Sequence, residues 1–172
     1  MSTRGPLRAD GGGGSRPPAD AVAELLGLEP LPHEGGRFLR TYGDAHGNAI
    51  YYLLAGDDAS ALHRLPSAEV WHHYAGAAVR LLTLHPDGTA REHRLGGELF
   101  LGERPQVVVP GGVWMGAVSV GDWSLLGTTM APPYDPAGFE LGDPAELRAS
   151  YPDVVDLIDL IAARSAPLHG GS

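Results

Sequence analysis

Residues 63–76 read His-Arg-Leu-Pro-Ser-Ala-Glu-Val-Trp-His-His-Tyr-Ala-Gly, a stretch rich in groups that can carry a proton or bind a ligand. In a β-strand, side chains alternate between two faces, so Glu69, Trp71 and His73 would share one face. A carboxylate inside a small barrel is unfavourable unless it is paired, protonated or bound to a metal. Two interpretations follow: a site built on Glu69 with nearby imidazoles, or a Glu69 at a hydrated rim among ordinary histidines.

The sequence around this stretch is divided by turn-forming residues at intervals of about ten residues. Between Arg37 and Met130, short runs rich in Val, Leu, Tyr and Trp alternate with Gly, Asp and Pro clusters. Asp87-Gly88, between residues 79–85 and 89–95, is typical of a β-hairpin. We therefore predict that residues 37–130 form an antiparallel, all-β sandwich or barrel.

Helices are predicted on both sides of this β region. The first begins near Asp20, a candidate N-cap, and ends at Gly27. Residues 143–146 (Asp-Pro-Ala-Glu) are typical of a second helix start. Apolar residues between 154 and 161 recur at helical spacing. We expect this last helix to pack on the outer face of the barrel or at a subunit contact.

Length and composition favour a single domain. The chain has 172 residues, and about one domain is the expectation for that length. Residues 1–18 are rich in Gly, Pro, Ser and Arg, too polar to bury a core, so we predict a disordered tail there. The domain is then predicted over residues 19–165, with a flexible C-terminus at 166–172.

Charge and missing motifs exclude several classes of function. The 12 Lys and Arg against 21 Asp and Glu give a net charge of −9, the wrong sign for a nucleic-acid partner. The chain has neither an apolar membrane span nor the apolar region of a signal peptide, which predicts a cytoplasmic protein with no membrane partner. Without cysteine there are no disulfides, thiolate metal sites or cysteine nucleophiles. Nucleotide-binding loops and serine-hydrolase elbows are also missing from the sequence.

The motif spacing resembles that of the cupin family. His63, Glu69 and Gly76 match the first His, the Glu and the Gly of the first cupin motif, HxH-x(3,4)-E-x(6)-G, and residues 110–115 resemble the second, P-x-G-x-x-H. The phrases PHEGGRFLRTY, HRLPSAEVWHHYAG, GERPQVVVPGGVW and YDPAGFEL occur in the order typical of small single-domain cupins of the Cupin-5 type, a group of largely unassigned function. The resemblance covers roughly residues 21–162. It implies an RmlC-like double-stranded β-helix (jelly roll) with a short N-terminal helix and C-terminal helices and, as in many cupins, a homodimer.

Two substitutions within these motifs affect the metal site that the resemblance implies. Leu65 stands where the second His of the first motif is expected, and Met115 where the His of the second motif is expected. The three-His, one-Glu site of the family therefore cannot form, and a thioether is a poor ligand for Fe, Mn or Zn. No cofactor is the leading expectation. The alternative is one divalent metal (Fe, Mn, Ni or Zn) held by His63, Glu69 and His73.

The leading functional hypothesis is a small-molecule enzyme of the isomerase, epimerase, lyase or cyclase type that acts in the barrel cavity. His63 would be the general acid or base, and Glu69 would fix its tautomer. A metal-dependent oxygenase or lyase and a non-catalytic binding or sensing cupin are the alternatives. Flat aromatic walls and polar side chains would bind the small-molecule substrate, the candidates being Trp71, His73, Gln106, Trp114, Met115 and Glu34.

Overall fold

The computed structural model describes residues 18–165. Apart from Pro18, the predicted N-terminal tail and the predicted flexible residues 166–172 lie outside the described residues. The helices are α1 (Ala19–Leu26), α2 (Pro144–Ser150) and α3 (Val155–Ser165). The strands are β1 (Glu29–Pro30), β2 (Arg37–Gly43), β3 (Asn48–Ala55), β4 (Ala59–Arg64), β5 (Glu69–Gly76), β6 (Val79–Leu84), β7 (Ala90–Leu95), β8 (Gln106–Val109), β9 (Trp114–Ser119), β10 (Trp123–Met130) and β11 (Glu140–Leu141).

The strands form two sheets that pack face to face as a jelly roll. The larger sheet has the order β1-β2-β3-β10-β5-β8, and the smaller has the order β11-β4-β9-β6-β7. Every pairing between these strands is antiparallel, as the turn spacing predicts for residues 37–130. The predicted hairpin joins β6 to β7 at Asp87-Gly88, where Gly88 has a left-handed φ of 86°.

Alternate residues of the strands form two separate apolar layers. Tyr52 and Trp71 from the larger sheet meet Leu81 and Met115 from the smaller sheet in the interior of the barrel. On the outer face of the smaller sheet, α2 and α3 cover a second buried cluster that contains Ile158. The C-terminal helix therefore packs on the outside of the barrel, one of the two positions that its apolar spacing predicts.

Two of the three helix ends predicted from the sequence are confirmed. Asp143 accepts a hydrogen bond from the Ala145 N–H and caps α2, and Gly27 ends α1 in the left-handed conformation. The N-cap prediction for Asp20 is wrong, because the N-cap of α1 is Pro18, two residues earlier, and the helix begins at Ala19. The Asp20 carboxylate instead pairs with Arg37 at 2.7 Å.

No helix within residues 18–165 has the length and apolar character needed to cross a bilayer.

Several apolar side chains are exposed at the surface, including the consecutive residues Leu99, Phe100 and Leu101 before β8 and Val108 on that edge strand. Edge strands and exposed apolar groups are common places for a second copy to bind. The homodimer stays a prediction.

A tight loop at residues 31–36 lies over one end of the barrel. The N–H of Leu31 donates to the Gly36 carbonyl at 3.0 Å, and the Glu34 carbonyl accepts from the Ala61 N–H of β4 at 2.8 Å. Gly36 has a φ of 69°, and a Cβ there would lie 2.7 Å from the Leu53 carbonyl oxygen. The loop can therefore approach β3 and β4 this closely only because residue 36 lacks a side chain.

We predict that Gly36→Ala destabilises the protein more than Gly88→Ala does. Both glycines have a left-handed backbone, which costs roughly 1–2 kcal/mol for alanine. Only at Gly36 does the added methyl also meet backbone, since nothing lies within 4 Å of a Cβ at Gly88. Urea unfolding should show about twice the loss of free energy for Gly36→Ala. Equal losses would mean that the loop adjusts without strain.

Candidate functional site

A cavity of about 170 Å³ lies between the loop at residues 31–36 and the interior of the larger sheet. We call it the barrel cavity. Its apolar lining comes mainly from Leu31, Phe38, Ile50, Leu65, Met130 and Phe139. Its polar lining comes mainly from His33, Glu34, Arg40, Asn48, Glu69, Thr128 and Tyr134. A largely apolar hollow with a few convergent polar groups is typical of a small-molecule site.

Glu69 is a buried acid on the wall of this cavity. It begins β5, where it pairs with Met130 on one side and Val109 on the other, and it is 7% exposed. Its Oε2 makes no hydrogen bond of normal geometry with any described residue. Burial, followed by the negative charge of Glu34, raises the pKa of Glu69 from 4.5 to about 7, while His63 opposes the rise.

His63 lies behind the cavity wall on β4. Its Nδ1–H donates to the Ala61 carbonyl oxygen at 2.7 Å, because a carbonyl can only accept. The lone pair of the neutral ring is therefore on Nε2, which lies 3.9 Å from Oε1 of Glu34. The ring stacks on Phe139 with centroids 5.3 Å apart and is 1% exposed. His63 is thus fixed in one tautomer and shielded from solvent.

Glu34 completes a group that we call the acid–imidazole cluster, made of Glu34, His63 and Glu69. The Oε1 of Glu34 accepts a hydrogen bond from the Ser60 hydroxyl at 3.0 Å, and this bond holds the Glu34 side chain against β4. Its carboxylate raises the pKa of Glu69, so the two acids are electrostatically coupled. An imidazole and two acids that interact electrostatically allow the cluster to hold a proton and to change which group carries the charge.

His73 does not join this cluster, in contrast to the sequence-based metal hypothesis. Strand pairing opposite Leu126 puts it on the same face of β5 as Glu69, as predicted. Four residues along a strand nevertheless separate the two backbones by roughly 13 Å. The Nε2–H of His73 donates to the Ala77 carbonyl oxygen at 3.0 Å instead. The alternation of side chains along a strand predicted the face of β5 on which His73 lies, but it could not show how far His73 is from Glu69.

The other predicted binding residues lie outside the cavity wall, apart from Glu34. Trp71 and Met115 are fully buried in the interior core. Trp114 lies on the outer face of the smaller sheet, with the Arg64 guanidinium 4.4 Å from its ring centroid. Gln106 is exposed and contacts the outward-facing His72 at 3.4 Å. These side chains support the barrel or its surface.

Sequence reasoning missed several polar groups of the cavity. Tyr134 lies on the wall, and its backbone N–H donates to Oδ1 of Asn48 at 2.6 Å, so the segment after β10 is joined to the start of β3. Arg40 lines the cavity from β2. Arg40 and Tyr134 belong to phrases that carried the family resemblance, which was the signal available for finding them.

The donors around Glu69 do not fit a resident divalent metal. Within residues 18–165, no three His, Asp or Glu side chains are arranged to hold a metal ion. Leu65 and Met115 supply no imidazole where the motifs have one, and His73 bonds the Ala77 carbonyl rather than approaching Glu69.

Comparisons with known proteins agree with the fold and the motifs. A family described as "Cupin superfamily (DUF985)" matches residues 20–142. A crystal structure from Shewanella oneidensis is similar at 30% identity and a TM-score of 0.77, covering 85% of this chain and 98% of that one. A hypothetical protein from Leishmania major gives 27% identity, a TM-score of 0.75 and coverages of 83% and 97%.

A more distant structure shows the same fold alone. It is an oxalate decarboxylase from Lactobacillus farciminis, in a formate complex, with 11% identity and a TM-score of 0.53, covering 78% of this chain and 41% of that one. The comparison with curated proteins gives no significant match.

We predict that the unfolding free energy of Glu69→Gln, relative to that of the wild type, increases as the pH rises. The folded state binds the Glu69 proton more tightly than the unfolded state, so the stability that this group contributes is present below pH 4.5 and is lost as the pH rises to about 7. Glutamine does not titrate. The difference in unfolding free energy, variant minus wild type, should rise by roughly 3 kcal/mol across that window.

Urea unfolding at several pH values measures this difference. Glu24→Gln is the matched control for loss of a glutamate charge, because Glu24 is exposed on α1, and it should not reproduce the rise expected for Glu69→Gln. A Glu69→Gln difference that stays constant or falls as the pH rises would contradict the raised pKa.

Proposed function

The chain belongs to the cupin superfamily, in its DUF985 (Cupin_5) family, and on that basis we propose that it is a small-molecule enzyme that moves a proton on carbon. The reaction class is that of an isomerase, epimerase, lyase or cyclase acting in the barrel cavity. The acid–imidazole cluster supplies the proton-transfer group, and the reaction needs no oxidant, reductant or nucleotide.

The single observation that supports this proposal most is the position of the Glu69 carboxyl. Oε2 has no hydrogen bond of normal geometry, the side chain is buried on the cavity wall, and its pKa is raised to about 7. A general acid or base works best when its pKa lies near the operating pH, because both protonation states are then available. Perturbed acids in a cavity are typical of catalytic sites.

The proposed step is a balanced proton transfer. Ionised Glu69 takes a proton from a carbon next to a substrate carbonyl, and the C–H electron pair becomes the double bond of an enolate. The Tyr134 hydroxyl, on the cavity wall, is a suitable donor to the enolate oxygen. Glu69 then returns the proton to another carbon or to the other face, which gives an isomer or epimer. Loss of a leaving group instead gives a lyase reaction.

In this mechanism His63 is a positioning residue rather than the group that contacts substrate. It is not among the residues that line the cavity, and its ring is covered by Phe139. His63 lowers the pKa of Glu69 and so favours its ionised form, whereas the negative charge of Glu34 raises that pKa and favours the protonated form. Burial makes the largest contribution to the raised pKa of Glu69, and the two neighbours then adjust it in opposite directions.

We predict that the protein catalyses exchange of carbon-bound hydrogen for deuterium in D₂O, as monitored by proton NMR. At least one member of a panel of small cyclic and open-chain carbonyl compounds and the corresponding carboxylic acids should show this exchange. Glu69→Gln should lower the exchange rate by about 10²–10⁴-fold, the usual contribution of a general base. Glu24→Gln should leave it unchanged. A full rate in Glu69→Gln would place the chemistry elsewhere, and binding without exchange would indicate a non-catalytic cupin.

The pH profile of the same exchange tests the assigned roles of Glu34 and His63. We expect Glu34→Gln to move its midpoint to lower pH, since a neighbouring negative charge is removed. His63→Gln should move the midpoint to higher pH, since the electrostatic contribution by which His63 lowers the pKa of Glu69 is removed. Midpoints that move in the same direction in both variants would contradict the cluster. A merely structural role would lower the rate without moving the midpoint.

A further inference from the structure

Among residues 18–165 Arg40 is a cation without a carboxylate partner, although the chain is strongly acidic. Within the described residues, ion pairs occupy Arg37, Arg64, Arg80, Arg94 and Arg148. Arg40 makes none of these contacts, although the chain carries a net charge of −9. Of the described arginines without a carboxylate ion pair (Arg40, Arg91, Arg104 and Arg164), only Arg40 lines the cavity. A guanidinium left without a carboxylate is available for an anion from outside.

The position of Arg40 connects this free cation to the barrel cavity. On β2 it pairs with Ile50 of β3, and both residues line the cavity. Burial and nearby carboxylates raise the pKa of Tyr134, whereas Arg40 lowers it, so the guanidinium lies within electrostatic reach of that hydroxyl. The rest of the cavity wall is largely apolar.

The size of the cavity limits what Arg40 can hold. Its volume of about 170 Å³ is similar to that of an engineered apolar cavity of roughly 150 Å³ that binds benzene. Glu34 and Glu69 line the same space, so a single cation must offset the repulsion between these acids and an anionic ligand. A monoanion with a small apolar body fits these limits better than a dianion such as a phosphate ester.

Arg40 and Glu69 also lie at different parts of the wall. They belong to β2 and β5, with β3 and β10 between them, so their backbones are separated by roughly 14 Å. A bound molecule can therefore have its charged end at one residue and a different atom at the other. This separates recognition from chemistry within one small cavity.

We propose that the substrate is a small monocarboxylate of about one ring in size, with its carboxylate paired to Arg40 and its reacting carbon facing Glu69. Guanidinium and carboxylate match in charge and in paired hydrogen-bond geometry. The placement of the reacting carbon rests on the proposed function, whereas carboxylate binding depends only on Arg40 and the apolar wall.

Benzoate and benzamide test the binding, because they have nearly the same shape and differ in charge. We expect calorimetry to show benzoate binding to the wild-type protein roughly tenfold or more tightly than benzamide. Arg40→Leu and Arg40→Gln should remove that preference while leaving the circular dichroism spectrum unchanged. Arg91→Leu is the matched control, since Arg91 lies on β7 away from the cavity lining and makes no ion pair within residues 18–165, and it should keep the preference.

Equal affinities for the two probes, binding of neither, or a preference that survives in both Arg40 variants would overturn the proposal. Failure of this inference can be distinguished from failure of the proposed function. Benzoate binding that depends on Arg40 supports the inference even where no carbon exchange occurs. Glu69-dependent exchange that is equally fast in Arg40→Gln, at substrate concentrations below saturation, would retain the proposed function and overturn the inference.

Discussion

Burying a carboxyl group without a full set of hydrogen bonds is the constraint on which this site depends. An ionised carboxylate in an apolar interior costs several kcal/mol unless it is paired. Glu69 meets that cost by holding its proton to about pH 7, far above the pKa of an exposed glutamate. The same condition that makes the group unfavourable as an anion makes it suitable for proton transfer near neutral pH.

The fold produces this condition from elements that are distant in sequence. β5 places Glu69 on the inner face, the loop at residues 31–36 brings Glu34 beside it, and β4 places His63 behind both. The Ala61 N–H donates a hydrogen bond to the Glu34 carbonyl, and the Ala61 carbonyl accepts one from the Nδ1–H of His63. Ala61 of β4 therefore helps to position both Glu34 and His63. A displacement of the loop would therefore alter the charge balance around Glu69 as well as the shape of the cavity.

Much of the fold was predictable because turn residues and strand alternation are local signals. The hairpin at Asp87-Gly88 and the Asp143 cap follow from short sequence patterns. Glu34 and Glu69 were also predicted as site residues, and both lie on the cavity wall. Alternation gives the face of a side chain but not its position along the strand, and for that reason the expectation that His73 could approach Glu69 was wrong. Arg40 and Tyr134 were missed because their approach to the cavity depends on how separate segments pack.

A direct titration of the Glu69 carboxyl tests the central claim. Carbon NMR of protein labelled at the glutamate side-chain carboxyl carbon, assigned by comparison with Glu69→Gln, follows this one group through the pH range. We expect a midpoint of about 7. A midpoint near 4.5, the value of an ordinary glutamate, would show that Glu69 is ionised in the cavity at neutral pH and would contradict the account.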